Sequence, residues 1–394
     1  MMATRTKTPT IAIVHPVMAL GGGTEAITAW SIEALKQDFQ VSLITFSSVN
    51  AQEINKYYGT DLRDDEFTLI RPDLPFLIKN TRRFSLLKDH LMMRHCKSIK
   101  GDFDLFFGVG GMMEFGCWGL QYFSLAPGST MVKVLAKDPG MSTMRYLLRK
   151  CSMQAYALIS SYSHQDAQKN LTLVTSKWAG RIARDAFAVG GHEVVYPPVL
   201  MPLSDKSWEE REDRFLCVAR VVPEKRLEQA IQIIKLVREQ GLDVSLTIVG
   251  RQDDPSYLKV IQRLAAENAP WVQIVDLLAK EELGRLMAIS KYGINAAKDE
   301  PFGIAVAEMV KAGSIVFVAK GGGQTEIVDS PGLTFDNLAN AAEKIARVVR
   351  SATEQEDLKE HLGTRGEEFS AQAFCLRLKE LVQEALRKTE ASRL

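Results

Sequence analysis

The sequence predicts an α/β protein made of two Rossmann-like halves in tandem. Short apolar segments of strand length alternate with longer amphipathic segments of helical length, which is the pattern of parallel sheets covered by helices. The alternation is interrupted near residue 196, where YPPV precedes the charged stretch SDKSWEEREDR, whose composition is typical of an exposed linker. A glycine triplet also follows a strand in each half. Two doubly wound halves facing each other would place a ligand site in a central cleft, at the carboxyl ends of their strands.

The first half reads strand, helix, strand over TIAIVHP, EAITAWSIEALKQ and QVSLITFSS, and the apolar runs DFDLFFGVG and LTLVTS continue it. We expect it to form a domain of residues 1–200. A closing helix at about 371–394 is expected to pack back on this domain.

The second half repeats the cycle after the linker. A helix from about Leu227 to Gln240 follows its first strand. Its predicted strands are RFLCVAR, DVSLTIVG, VQIVDLL, KYGINAA and SIVFVAK. We expect these segments to form a second domain, residues 201–370.

Composition excludes several classes of protein. With 49 basic and 48 acidic residues the net charge is +1, so the charge balance does not indicate a nucleic-acid partner. The five cysteines lack close spacing, so neither a disulfide framework nor a zinc site is predicted, and no metal site is expected. The polar N-terminus does not resemble a signal peptide, and no apolar run reaches about 18 residues. We expect a cytoplasmic protein, soluble or peripheral on a membrane.

The glycine triplets allow two interpretations. Gly21–Gly23 precede a helix that begins near Glu25, and Gly321–Gly323 precede QTEIV. Glycine either supplies a tight turn or lets backbone N–H groups approach an anion at a helix N-terminus. The first triplet also fits a dinucleotide fingerprint, but it lies about five residues beyond its strand, and no acidic residue ends the second strand. A dehydrogenase is therefore disfavoured.

Two segments of the second half carry charged residues at strand ends. In ARVVPEKR, Arg220 and Lys225 lie five apart across a turn, which suits either a diphosphate or a solvated loop. In KDEPFGIAVAEMVKAG, Pro301 is expected at the first helical position and residues 304–311 are expected to be helical. Glu300 would precede this helix and Glu308 would lie about two turns inside it, so they cannot form an ordinary surface pair.

Together these segments resemble the retaining nucleotide-sugar glycosyltransferases of family 4, also called group 1, which have the GT-B fold. The resemblance covers most of the chain and is denser in the second half. The motifs, in the family's order, are Gly22-Gly23 with Glu25, Ser176-Lys177-Trp178, Tyr196-Pro197-Pro198-Val199, Ala219-Arg220 to Lys225, Val249-Gly250, Glu300-Pro301-Phe302-Gly303 through Glu308, and Gly322 to Glu326-Ile327-Val328.

The resemblance implies roles for these residues. Glu300 would contact hydroxyls of the donor sugar, Glu308 would bind the ribose, and the N–H groups of Phe302 and Gly303 would reach donor oxygens. Arg220 and Lys225 would stabilise the leaving diphosphate, so that no metal is required, and with Glu300 they form the implied catalytic set. The other implied donor-binding residues are Gly22, Gly23, Gly250, Leu278, Pro301 and Ile304. No cofactor is implied, because the nucleotide sugar is a co-substrate.

The acceptor side departs from the family's pattern. Many relatives carry a histidine in the first half, and the segment Gly119–Pro127 places Ser124 at that position. His15, at the end of the first strand, is the best placed substitute, although a lone histidine there is more often structural.

Residues 78–100 are rich in basic side chains. They contain seven Lys and Arg residues, including Arg82 and Arg83, against one acidic residue, Asp89. Phe84, Leu87 and Leu91 recur at helical spacing. Such a helix either lies on an anionic membrane or packs its apolar stripe on the core with a solvated basic back.

We therefore expect a metal-independent retaining hexosyltransferase that uses a UDP- or GDP-sugar. Its acceptor would be a glycan or a lipid-linked molecule, and polysaccharide biosynthesis is the expected setting. The alternative is a catalytically idle nucleotide-binding or scaffold protein of the same fold, against which intact Arg220, Lys225, Glu300 and Glu308 argue.

Overall fold

The protein consists of two compact units. The computed structural model describes residues 8–18, 22–79, 84–124, 142–201 and 204–393 of the 394. One unit contains Met1–Pro198 together with Ala371–Leu394, and the other contains Val199–Ser370. Each unit is built on its own parallel sheet.

The first unit has a sheet of seven parallel strands within the described residues. These are β1 (Thr10–Val14), β2 (Gln40–Ile44), β3 (Phe67–Ile70), β4 (Leu105–Gly110), β5 (Leu120–Phe123), β6 (Leu171–Val174) and β7 (His192–Val194). Their order across the sheet is β3-β2-β1-β4-β5-β6-β7. Because the order reverses between β1 and β4, the topological switch point of this unit lies there.

Helices cover both faces of this sheet. They are α1 (Gly23–Leu35), α2 (Ala51–Tyr58), α3 (Phe76–Lys79), α4 (Ser85–Ser98), α5 (Thr143–Ser160), α6 (His164–Gln168), α7 (Lys177–Phe187) and α15 (Ala371–Arg393). Helix α15 packs against α1 on one face. On the other face, Met92, Met93 and Cys96 of α4 pack under β1 and β4. The continuous apolar strands of the sequence are explained by this two-sided burial.

The second unit has six parallel strands within the described residues. They are β8 (Glu212–Val218), β9 (Ser245–Val249), β10 (Val272–Val275), β11 (Ser290–Asn295), β12 (Ile315–Ala319) and β13 (Thr334–Phe335). Their order is β10-β9-β8-β11-β12-β13. The chain therefore builds outward from β8 in one direction and then crosses to the other side with β11. The switch point of this sheet lies between β8 and β11.

The helices of the second unit alternate with its strands. They are α8 (Leu227–Glu239), α9 (Pro255–Glu267), α10 (Lys280–Ile289), α11 (Ile304–Lys311), α12 (Gln324–Val328), α13 (Leu338–Arg350) and α14 (Ala352–Glu367). A single 3-10 turn, Pro223–Lys225, connects β8 to α8. Among the described residues of both units, no helix is long and apolar enough to cross a membrane.

The charged stretch 204–214 is mostly exposed, as the linker prediction expects, but parts of it belong to the fold of the second unit. Its last three residues begin β8, and Arg211 is buried. Trp208 stacks edge-on against Tyr292, with ring centroids 5.9 Å apart, and donates a hydrogen bond to Gln355. The guanidinium of Arg211 also lies over the Trp208 ring. Composition counts the charged groups of a segment. It does not show that the aliphatic stems of those side chains can cover an aromatic surface.

The helix at residues 304–311 is confirmed, but its start differs from the expectation. Pro301 lies three residues ahead of α11, and Gly303 is the N-cap, with a φ of 101° that favours glycine. Glu308 is consequently only just over one turn inside the helix. Strands β3, β5, β7 and β13 were not predicted, because each is at most four residues long and carries a polar residue.

Candidate functional site

The switch point of the second sheet brings two predicted residues together. Lys225 ends the turn after β8, and Glu300 lies in the loop after β11. The Lys225 ammonium forms an ion pair with Oε2 of Glu300. Their side chains are 21% and 17% exposed, so the pair is largely shielded from water but remains accessible. A ligand at the ends of β8 and β11 would meet both groups.

Arg220 belongs to a second charged group beside this pair. Its guanidinium lies 3.4 Å from Oδ2 of Asp253, and Arg251 binds the same carboxylate at 2.6 and 3.0 Å. The hydrogen bond from Arg251 holds the pKa of Asp253 below its usual value. The loops after β8, β9 and β11 thus hold two ion-paired groups, Lys225 with Glu300 and the two arginines with Asp253. Sequence reasoning missed Arg251 and Asp253, although both closely follow a buried strand.

The second glycine triplet holds the loop of Glu300. The N–H of Gly323 donates to the carbonyl of Glu300 at 2.7 Å, and the N–H of Asp299 donates to the carbonyl of Gly321 at 2.9 Å. A Cβ on Gly322 would lie 2.9 Å from the nitrogen and 3.0 Å from the oxygen of Glu300. Glycine is therefore needed here for close backbone approach, and one of the triplet's N–H groups is already used within the protein.

The side chain of Gln324 joins the ends of β11 and β12 by hydrogen bonds. Its side chain is fully buried, and Nε2 donates to the carbonyls of Ala297 and Ala319 at 2.7 and 3.0 Å. These carbonyls lie just after β11 and at the end of β12, so a single amide joins the two strand ends. Oε1 of Gln324 is buried without a hydrogen bond among the described residues. Sequence reasoning gave this residue no role, because only the fold brings the two carbonyls together.

Gly322→Ala should displace the Glu300 loop, because the new methyl group would press on backbone atoms that cannot rotate away. We expect at least about tenfold weaker binding of a nucleotide sugar, equivalent to about 1.4 kcal/mol. Gly363→Ala in α14 is the matched control, since a Cβ there meets nothing within 4 Å. Calorimetric titration of both variants tests this, and equal donor affinity in both would contradict the proposed role of the glycine.

Glu308 lies on α11 with a partly buried side chain. Burial raises the pKa of Glu308 to about 7, against a weaker opposing effect of Lys280. A carboxylate in this state gains from hydrogen-bond donors that stabilise its charge. The two hydroxyls of a ribose would supply such donors.

The neighbours of Glu300 and Glu308 form the entry to α11. Phe302 is buried, and its ring packs against Phe369 with centroids 5.5 Å apart. Pro301 and Ile304 are half-buried on either side of the buried Gly303. The anchored Phe302 fixes where α11 begins, and the positive end of a helix dipole favours an anion there.

Gly250 directly follows β9, and Leu278 comes three residues after β10, an edge strand of this sheet. A Cβ on Gly250 would lie 1.9 Å from the carbonyl oxygen of Ala219, so only glycine allows the ends of β8 and β9 to approach so closely. Leu278 lines a cavity of about 590 Å³ beside α10, together with Val275 and Arg285.

The predicted glycines of the first unit lie at the N-terminus of α1. Gly22 is the N-cap and Gly23 the first residue of α1, while Gly21 lies outside the described residues. A Cβ on Gly22 would lie 2.1 Å from Oε2 of Glu25, which also accepts a 2.8 Å hydrogen bond from Thr24. The carboxylate of Glu25 thus already complements the positive end of the helix.

His15 and Ser124 lie at the carboxyl edge of the first sheet. His15 is buried, its Nδ1 is 2.7 Å from Oγ1 of Thr28, and burial lowers its pKa to about 4. The imidazole is therefore neutral at pH 7 and held against α1. Ser124 is half-buried beyond β5 and donates to the carbonyl of Gly110 at 3.3 Å. These two residues lie on strands that β4 separates.

The basic segment 78–100 presents fewer free cations than its sequence indicates. Arg82 and Arg83 lie outside the described residues. Lys88 is buried, and Lys97 forms an ion pair with Glu114 and donates to the carbonyl of Ser161 at 2.7 Å.

The structure contradicts the alternative in which the apolar stripe of this segment packs on the core. Phe84 is 49% exposed, and Leu87 and Leu91 are only partly buried. The buried residues of α4 are Lys88, His90, Met92, Met93 and Cys96. Helical spacing identified residues that share a face, but a different face of α4 meets the sheet.

Among the described residues, no group of three or more His, Cys, Asp or Glu side chains is placed to hold a metal ion.

The second unit is similar in sequence to a known protein family. Residues 204–369 match the model of a family described as "Glycosyl transferases group 1". Arg220, Lys225, Glu300, Glu308 and Gln324 all lie within the matched residues.

Curated relatives are similar at low identity. One is the GDP-Man:Man(3)GlcNAc(2)-PP-Dol alpha-1,2-mannosyltransferase of Dictyostelium discoideum, 23% identical over 264 residues, or 60% of this chain and 51% of the relative. The enzyme of the same name from Candida glabrata is 25% identical over 192 residues, or 45% of this chain and 37% of the relative. The chain spans about half or less of the length of these relatives.

Solved structures are similar over nearly the whole chain. HepE of Anabaena, in complex with UDP and glucose, matches with a TM-score of 0.64 and 15% identity over 95% of this chain and 100% of its own. WaaG, a glycosyltransferase involved in lipopolysaccharide biosynthesis, matches with a TM-score of 0.67 and 12% identity over 94% and 99%. At this identity the likeness shows the fold alone, and it confirms the predicted α/β GT-B fold with two Rossmann-like domains.

Proposed function

We propose that the protein is a retaining, metal-independent glycosyltransferase that transfers a hexose from a UDP- or GDP-sugar to a glycan or lipid-linked acceptor. The observation that carries the proposal is the Lys225–Glu300 ion pair at the switch point of the second sheet. Ligands of doubly wound sheets bind at that point. The match of residues 204–369 to the group 1 glycosyl transferases supports the same donor site.

The pair suits a donor that carries both a diphosphate and a sugar. An ammonium group has three N–H donors, so Lys225 can keep its bond to Glu300 and still donate to a phosphate oxygen. The carboxylate of Glu300 then faces the neighbouring part of the ligand, where it can accept hydrogen bonds from sugar hydroxyls. The ion pair would thus place phosphate and sugar in a fixed order.

Catalysis would follow from charge stabilisation. As the glycosidic bond breaks, negative charge develops on the leaving nucleoside diphosphate, and groups already held in position stabilise it without reorganisation. Lys225 and Arg220 supply that charge, and the N-terminus of α11 adds backbone dipoles. This arrangement replaces the charge that a divalent ion would otherwise supply.

The donor's identity is open between the two carriers. The curated relatives are named as GDP-Man mannosyltransferases, whereas the HepE structure is a complex with UDP and glucose. We propose GDP-mannose as the first candidate, because these relatives are 23% and 25% identical to the chain in the matched residues, against 15% for HepE. Titration with GDP-mannose, UDP-glucose and an ADP-sugar would rank them, and tightest binding of the ADP-sugar would contradict both carriers.

The proposed mechanism predicts retention of the anomeric configuration and activity in EDTA, since protein cations replace a metal. With donor and an acceptor sugar, nuclear magnetic resonance of the first product should show the donor's own anomeric configuration. An inverted product, or activity lost in EDTA and restored by a divalent ion, would contradict this mechanism.

The proposed acceptor is a lipid-linked glycan. The curated relatives are named for the acceptor Man(3)GlcNAc(2)-PP-Dol, which favours a lipid-linked molecule for this chain as well. Polysaccharide or lipid-linked glycan assembly is the corresponding setting, and His15 and Ser124 remain the candidate acceptor-side residues.

The competing function is a nucleotide-binding scaffold without activity. It predicts nucleotide binding with no transfer and no hydrolysis of any donor. Slow donor hydrolysis in the absence of acceptor, lost in Glu300→Gln, would exclude it.

A further inference from the structure

Helix α5 presents an unusual exposed apolar face. Several of its large apolar side chains are turned to solvent: Met144 (69% exposed), Leu147 (49%), Leu148 (64%), Leu158 (82%) and Ile159 (39%). Cys151 is exposed on the same helix. Seven of the twelve large hydrophobics that are exposed among the described residues lie between Phe76 and Ile159, so this property is concentrated in one part of the first unit.

The exposed residues form one stripe. At about 100° per residue, Met144, Leu148, Cys151 and Leu158 fall within one narrow sector of α5. The opposite face of the helix packs on α4, where His90 lies 2.7 Å from Ser160. The stripe is therefore the outer surface of the helix and is not part of the core.

Positive charge lies beside the stripe. The exposed Lys150 borders it on one side, whereas the half-buried Arg149 lies toward the face that packs on α4. The helix contains three basic residues and no Asp or Glu over its 18 residues. The neighbouring α4 adds the exposed Arg94 near its C-terminus. An apolar face bordered by cations is the arrangement of helices that lie in a membrane interface.

We infer that α5 docks the first unit onto an anionic lipid surface, with its apolar stripe among the acyl chains and the exposed Lys150 at the level of the headgroups. Charge decides between this partner and a second copy of the chain. A twofold pairing of α5 would bring like charges of two copies together with no acidic residue on the helix to compensate them. An anionic surface complements the same charges.

This inference extends the proposed function, since a lipid-linked acceptor would be presented at such a surface, but it is tested separately. Vesicle binding needs neither donor nor acceptor. Failure of docking would leave the transfer reaction unaffected, and failure of transfer would leave docking unaffected.

The experiment is cosedimentation with vesicles of phosphatidylcholine alone or mixed with phosphatidylglycerol. We expect the protein to bind only the anionic vesicles and to be released by salt, because surface charges are screened beyond about 10 Å at 0.1 M. Leu148→Glu should lower the partition coefficient at least about tenfold, since it places a charge among acyl chains. Leu376→Glu is the matched control, because Leu376 is equally exposed, at 65%, on α15.

A second measurement reports insertion directly. With Cys117→Ser removing the other exposed thiol, an environment-sensitive fluorophore on Cys151 should shift its emission to the blue when anionic vesicles are added. Absence of binding to anionic vesicles, an unshifted fluorophore, or unchanged binding of Leu148→Glu would overturn the inference. So would a dimer that Leu148→Glu dissociates, because α5 would then be an interface between copies.

Discussion

Lys225→Met should lower the kcat/KM for transfer by about 10²–10³, the loss typical of removing one fixed donor to a developing negative charge. The affinity for the bare nucleoside diphosphate should also fall at least about tenfold, because a charge-assisted phosphate contact contributes about 1.5–3 kcal/mol. Part of this loss has a second cause. Without its cation, the shielded carboxylate of Glu300 would repel the incoming diphosphate.

The repulsion can be separated from the lost contact. Glu300→Gln alone should leave affinity for the bare nucleotide nearly unchanged and impair the sugar-bearing donor. The double variant should bind the nucleotide more tightly than Lys225→Met but recover no transfer. Lys235→Met, an exposed lysine on α8, is the control for loss of a positive charge. Simple additivity of the two losses in nucleotide affinity would show that the ion pair has no part in binding.

Glu308→Gln should weaken binding of the bare nucleotide and remove much of its pH dependence. Ribose hydroxyls favour the ionised carboxylate, and the pKa of Glu308 is about 7, so wild-type affinity should rise about tenfold from pH 6 to pH 8. In the variant, the remaining pH dependence of affinity comes only from ionisation of the nucleotide's phosphate. This dependence serves as the baseline. Titrations at both pH values test this, and equal pH profiles in the two proteins would remove Glu308 from the ribose site.

The carboxyl group of Glu308 should make the folded protein less stable as pH rises, whereas it should make nucleotide binding tighter. The folded pKa of about 7 lies above the ordinary 4.5, so between these values the folded protein holds a proton that the unfolded chain has lost. Wild-type stability therefore falls as pH rises from about 4.5 to 7. We expect Glu308→Gln to melt at a higher temperature than wild type at pH 8 and at a similar one at pH 4.5. A lower melting temperature of the variant at pH 8 would contradict this linkage.

The sequence by itself determined the architecture and the identity of several candidate residues. The alternation of apolar segments predicted both doubly wound sheets, because burial on two faces requires continuous apolar strands. Arg220, Lys225 and Glu300 were identified because they follow such strands, and parallel strands place their carboxyl ends on one edge. Residues 304–311 were correctly predicted to be helical from local pattern alone, although Pro301 does not begin the helix.

Only the tertiary structure decided which of these residues meet and which faces are covered. Lys225 and Glu300 are 75 positions apart in the chain, and the strand order brings them into contact. Asp253 follows a predicted strand, but neither its place between two arginines nor the joining of two strand ends by Gln324 carries a local signal. Helical spacing likewise identifies residues that share a face without showing which face a neighbour covers. Burial of α4 along Met92 and Cys96, and exposure of α5 along Leu148 and Leu158, therefore depend on packing between distant segments.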